Sequence, residues 1–199
     1  MGRSTGVMNS HELTRSGLLC LEELVQIAIL SYGAPIASEW LVVTSTTCVE
    51  AHFDRLINAL IASSRVSDSK FASALLDDNY EEIFKTWDSR LKWLDKGFGI
   101  GIAGDRPVQD YRTLVDLRNA VVHGQGHLTL FQQRNFAKFL ALKQSLARLF
   151  DVNFMGTAVI FTDALHFKVI EACRLVVAHL DRAVLNLYPE IAGMLISSL

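Results

Sequence analysis

The sequence predicts an all-α protein, an up-and-down bundle of about five to six helices with a short β-hairpin near residues 152–161. Three observations point there. Long stretches without Gly or Pro are rich in Leu, Ala, Arg and Lys, residues that sustain an uninterrupted helical ladder. The three prolines (Pro35, Pro107, Pro189) and most of the 12 glycines fall between those stretches, where they end helices. Half of the 199 residues are apolar and 20% are charged, so the chain must bury a core and suits one domain better than two. Residues 1–199 therefore read as a single helical domain, with 1–11 as a flexible extension.

Each element has a local reason. The first helix covers about Glu12–Ser31. The second runs from Ile36 to about Ser64, where Trp40, Val43, Thr47, Ala51 and Leu56–Leu60 recur at three- and four-residue steps as an apolar stripe. Ser63–Ser69 reads as a turn. A third helical region spans about Phe71–Lys96, with a break expected near Asp77-Asp78-Asn79. The fourth helix starts at Pro107, a favourable first-turn residue, and ends near His123 before Gly124. Thr129 and Gln132 form a capping box that opens a fifth helix, running to about Phe150. Val152–Phe161 holds β-branched and aromatic residues around Gly156, the pattern of a hairpin. A last helix spans about Asp163–Leu187, with Leu165, Val169, Ala172, Val176, Leu180 and Val184 on its core face.

Composition excludes several classes of protein. Cys20, Cys48 and Cys173 are odd in number and have no paired spacing, so they read as core residues of a reducing compartment and not as a disulfide or zinc framework. Glu22 and Glu23 interrupt the apolar run Leu18–Leu30, against both a membrane span and a signal sequence. The expected setting is the cytoplasm, with no membrane partner. Gly99-Ile-Gly101-Ile-Ala-Gly104 spells a dinucleotide fingerprint, but an amphipathic helical end precedes it where a strand is required. It reads as a mobile loop. Glu50-Ala-His52 cannot form the Glu-x-x-His pair of di-iron bundles, because positions i and i+2 project to different sides of a helix. His166 and His179 lie in an apolar helix and read as packed or hydrogen-bonded. No metal and no cofactor is expected.

The net charge of −2 conceals a division. Residues 85–150 carry 11 Lys/Arg and 5 Asp/Glu, whereas the rest of the chain carries 8 and 16. A basic region on an acidic protein can hold a polyanion locally; its alternative is an ordinary solvated face.

Within that region stands Arg118-Asn119-Ala-Val-Val-His123-Gly124. The bare spacing Arg-x4-His is weak, and it occurs again as Arg174-Leu-Val-Val-Ala-His179. The second occurrence lies inside the last helix with an apolar residue after its arginine, and nothing about it suggests chemistry. In the first, Asn119 adds a polar group and Gly124 places His123 at a helix end. Unpaired carbonyls and the helix dipole there favour a protonated imidazole, the group that exchanges protons near neutrality. A guanidinium beside it can grip phosphate with two donors. The alternative is a simple C-terminal cap.

At these residues the chain resembles the HEPN superfamily, whose hallmark is Arg-x4–6-His with a polar residue, often Asn, after the arginine. Leu41–Asp54 is similar to its long second helix with an acidic position, and Leu114–Thr129 to its motif region; the RiboL-PSP-type subgroup is the most similar. The resemblance implies a metal-independent endoribonuclease, a toxin or anti-phage effector, acting as a homodimer with two motifs along one cleft. It would use RNA as substrate, with an antitoxin or defence protein as a further partner. It assigns proton transfer to His123, charge stabilisation to Arg118, orientation to Asn119 and a supporting acid to Glu50. Glu50 has an alternative role, an ion pair to a bundle neighbour. Arg112, His127 and Arg134 are expected to bind substrate. The competing function is a helical module that binds RNA, a nucleotide or a protein without turnover. A nucleotide transferase would need paired carboxylates beside a Gly-Ser loop, which the sequence lacks.

Overall fold

The computed structural model describes residues 13–31, 38–64 and 68–194. Among them are eight α-helices: α1 (Arg15–Ser31), α2 (Ser38–Ser63), α3 (Lys70–Phe84), α4 (Trp87–Phe98), α5 (Arg106–Gly124), α6 (Leu130–Gln133), α7 (Phe136–Phe150) and α8 (Leu165–Leu187). Strands β1 (Asn153–Met155) and β2 (Ala158–Ile160) form the antiparallel hairpin, with Phe154 opposite Val159. The all-α bundle with a short hairpin is as expected. The helix count is higher because two expected helices are each split by a new cap.

The first split falls at Lys85-Thr86, not at Asp77-Asp78-Asn79, which stays helical in α3. The Thr86 side chain accepts from the Ser89 backbone N–H at 3.0 Å and starts α4, whereas Asn79 turns its amide onto the Leu75 carbonyl within the helix. A side-chain acceptor for an orphan N–H is what fixes a helix start. The second split follows the capping box. Thr129 and Gln132 close it as the sequence requires, but Asn135 caps again, accepting from Lys138 N at 3.0 Å, so α6 is only four residues long.

Helix α2 packs against α1, α4, α5 and α8. Its buried face is Leu41, Val42, Ser45, Cys48, Val49, His52, Phe53, Leu56, Ile57 and Leu60. The expected stripe through Trp40, Val43, Thr47 and Ala51 is therefore displaced: Trp40 and Thr47 are exposed. The reason is tertiary. A helix with neighbours on several sides buries polar Ser45 and His52 along with its apolar residues, and a hydropathy stripe cannot register them. On α8, Leu165, Val169, Val176, Leu180 and Val184 are buried as expected, and Ala172 is partly buried.

His52 is fully buried in a polar cluster joining three helices. Its Nδ1 lies 2.9 Å from Ser16 Oγ of α1, and its Nε2 lies 3.0 Å from Asp181 Oδ1 of α8, off the line of a good hydrogen bond. Thr14 donates to the same carboxylate through its backbone N–H at 2.8 Å and through its hydroxyl. A Cβ at Gly17 would collide with that carboxylate, so this glycine serves close approach. Cys20, Cys48 and Cys173 are buried free thiols. Burial pushes the Cys173 thiol up, in keeping with a core role.

The Gly99–Gly104 segment is pinned and not mobile as expected: Ile100 and Ile102 are buried between its glycines. Gly99 ends α4 at φ +70°. The sequence showed the hairpin but not its use. Leu128 N donates to Thr157 O and Val159 N to Gly126 O, both at 2.9 Å, so the hairpin braces the chain just after α5. Among the described residues, no helix is long and apolar enough to cross a membrane.

Candidate functional site

A cleft of about 440 Å³ lies where α4 and α5 face each other over α2. Glu50 and Thr46 come from α2, Trp87, Asp88 and Arg90 from α4, and Arg112, Asp116, Arg118 and Asn119 from α5, with Phe131 of α6 at the edge. Its base is rigid. The Trp87 ring meets Phe53 at 4.9 Å and Tyr111 at 5.0 Å, both edge to face, and the Arg90 guanidinium lies 5.4 Å from the Trp87 centroid. The Tyr111 hydroxyl donates to the Thr46 carbonyl at 3.0 Å, and burial holds that phenol well above its ordinary range. It is a packing group.

Most of the cleft's charge is already matched. Arg90, only 4% exposed, donates from Nε and Nη2 to Asp54 at 2.6 and 3.1 Å and reaches Glu50 at 3.1 Å. A buried guanidinium needs such partners, because leaving it alone in a dry site is costly. Arg112 joins Asp88 at 2.6 Å, tying α5 to α4, and Lys85 joins Glu82 at 2.8 Å. Arg118 differs. Its Nη1 donates to Asn119 Oδ1 at 3.2 Å, and among the described residues no carboxylate pairs with it.

Of the expected site residues, the structure brings Arg118, Asn119, Glu50 and Arg112 to one cleft. The Glu50 carboxylate is engaged with Arg90, its alternative role. His123, His127 and Arg134 are not in the cleft lining. His123 is exposed in the last turn of α5. It continues the row Arg112, Asp116, Asn119, whose four- and three-residue steps share one helix face. Arg118 lies five residues before it, and at 3.6 residues per turn the two side chains leave the axis about 140° apart. Gly124 is not the stop expected after His123. It is the last helical residue, and Gln125 ends α5 at φ 52°, its N–H bonded to the Ala120 carbonyl. His127 Nδ1 lies 3.1 Å from Thr157 Oγ1 of the hairpin. Arg134 is exposed, with its guanidinium 5.2 Å from the Phe131 centroid.

Sequence reasoning missed Arg90, Asp116 and Phe131. Asp116 carried a signal, since it falls on the Arg112–Asn119–His123 row. Burial raises its carboxyl above the ordinary value, opposed by the Gln132 amide and then by Arg112. Arg90 offered only its place in the basic region, and Phe131 none beyond following the capping threonine. Among the described residues, no three His, Cys, Asp or Glu side chains gather as metal ligands. Compared with protein-family models, curated proteins and solved structures, the chain finds no match.

Proposed function

We propose that the chain is an HEPN-like, metal-independent endoribonuclease acting through Arg118, Asn119 and His123. One observation carries this reading: Arg118 is the cation of the cleft lining that has no carboxylate partner among the described residues, while Lys85, Arg90 and Arg112 each have one. An unmatched guanidinium at a concave site is a receptor for an anion, and its fork fits two phosphoryl oxygens. Asn119 accepts from that guanidinium through Oδ1, which leaves its NH₂ to donate to the same phosphate.

In the proposed reaction His123 exchanges protons with the ribose. The 2′-oxygen loses its proton and bonds to phosphorus, the bond to the 5′-oxygen breaks, and that oxygen gains a proton. The products are a 2′,3′-cyclic phosphate and a 5′-hydroxyl. Arg118 stabilises charge growing on the phosphoryl oxygens. Glu50 contributes by holding Arg90 beside the cleft with Asp54, so it is a positioning residue. The divergence of Arg118 and His123 around α5 favours a homodimer, in which a second motif helix completes the proton-transfer set across a two-fold axis. The proposed setting is a cytoplasmic toxin or defence effector with a cognate antitoxin or defence protein.

A binding module without turnover is favoured by one specific observation, the position of His123 outside the cleft lining. The experiment that separates the two is RNA degradation in the presence of a chelator by the wild type, His123→Ala and His179→Ala. Loss confined to His123→Ala supports the nuclease. Binding without degradation by all three proteins supports the module, and equal degradation by all three exposes a contaminant. An all-deoxy strand lacks the nucleophile and must survive; its cleavage at a similar rate removes the mechanism.

A further inference from the structure

Two aromatic rings line the cleft, Trp87 and Phe131, and they are in opposite situations. Trp87 is committed to Phe53, Tyr111 and Arg90. Phe131 is 74% exposed, and the Arg134 guanidinium lies 5.2 Å from its centroid. Phe71, Phe136 and Phe167 are as exposed, but of these rings only Phe131 lines the cleft.

The short helix that carries Phe131 is bonded at both its start and its flank. Thr129 and Gln132 close the capping box, and the Gln132 amide also donates to the Asp116 carbonyl at 2.9 Å. Gln133 donates to the Leu128 carbonyl at 2.5 Å. A short helix is thus tied to α5 within one turn of Arg118 and Asn119, and its exposed ring lines the same cleft as the unmatched guanidinium.

We propose that Phe131 is a stacking platform for one unpaired nucleobase of a single-stranded RNA, whose neighbouring phosphate is held by Arg118 and Asn119. Arg134 supports the ring as a cation against its π-system. This inference rests on the cleft being an RNA site and adds how a strand is chosen. Every base has a π-face, so the platform tolerates any sequence and selects against a duplex, whose bases are already stacked. The volume near 440 Å³ lies in the range of pockets that hold a small ligand, the size class of a single splayed-out nucleotide.

The test is equilibrium binding of a fluorescein-labelled single-stranded oligoribonucleotide, and of the same strand annealed to its complement, by the 199-residue chain. His123→Ala is the background, so that cleavage does not interfere. Phe131→Ala should weaken single-strand binding about tenfold and leave duplex binding unchanged. Phe131→Trp should retain it, and Phe131→Leu should fail like alanine, because leucine is apolar but cannot stack. Full binding by Phe131→Leu overturns the proposal. So does an equal loss for both RNA forms accompanied by a change in oligomeric mass, since the exposed ring is then a protein contact. Single-strand binding that depends on Phe131 in a wild type that does not cleave RNA upholds the platform and removes the nuclease. Cleavage that needs Arg118 and ignores Phe131 does the reverse.

Discussion

The two occurrences of Arg-x4-His use the same spacing on helices of similar length and come to opposite ends. In the second, Arg174 donates to both carboxylate oxygens of Glu171, at 2.8 and 2.9 Å, and His179 Nε2 lies 2.8 Å from Asp105 Oδ2. Asp105 stands at the N-cap of α5 but makes no side-chain cap bond there; its carboxylate is turned to α8. The second pair is therefore an internal tie, with its basic groups matched by acids. The guanidinium of the first pair faces a cleft and, among the described residues, hydrogen-bonds only a neutral amide. Availability for chemistry is decided by neighbours and not by spacing.

The largest effect expected from this contrast is on rate. Arg118→Ala should slow cleavage of a labelled RNA by about a hundredfold or more, the usual consequence of losing a group that meets charge only in the transition state. Arg174→Ala should leave the initial rate within about twofold. Similar losses in both variants would mean that the second pair also acts on substrate.

A more pointed change makes the first pair imitate the second. Asn119→Asp puts a carboxylate beside Arg118, as Glu171 stands beside Arg174, and should weaken RNA binding about tenfold by occupying the guanidinium. Titration of RNA at fixed salt would detect it. Unchanged affinity would show that Arg118 does not meet phosphate.

On stability the order reverses. Asp105→Ala should cost about 1 kcal/mol, as expected for a half-exposed pair, and lower the melting temperature by about 2–4 °C, with cleavage intact.

The smallest effect concerns Asp116. Burial raises its carboxyl above the ordinary 3.8, so protonation is easier in the folded chain than in the unfolded one. Its contribution is then most favourable below pH 3.8 and declines as pH rises through the raised value. Asp116→Asn should accordingly melt higher than the wild type at neutral pH, and the gain should shrink towards pH 3.8. Thermal melts at both pH values would reveal it, and a gain that stays constant would contradict the burial account.

Much of the bundle was legible because helix signals are local. The Thr129–Gln132 capping box and the start of α5 next to Pro107 depend on residues within one turn of each other, and the core face of α8 on a repeat of three- and four-residue steps. The mistakes are instructive for the same reason. Thr86 and Asn135 cap new helices from positions where their side chains find a free N–H, whereas Asn79 of the acidic stretch bonds back within α3. The α2 stripe was misplaced because His52 and Ser45 are buried, His52 by the Ser16–Asp181 cluster assembled from three helices. In the cleft, the α5 residues Arg118, Asn119 and Arg112 could be found by inspection of one segment. Arg90 and Phe131 could not, since their significance comes from Glu50, Asp54 and Asp116, placed elsewhere along the chain.

By itself the sequence determined that this chain is helical, where most of its helices stop, and which short segment concentrates an arginine, an amide and a histidine near a helix end. Those properties follow from backbone hydrogen bonding and capping within a few residues. Tertiary structure decided that Arg90 and Arg112 are neutralised, which aromatic rings stay exposed and which histidine is sealed inside. Such outcomes depend on the distance between groups far apart in sequence, and electrostatic matching and burial are set by that distance.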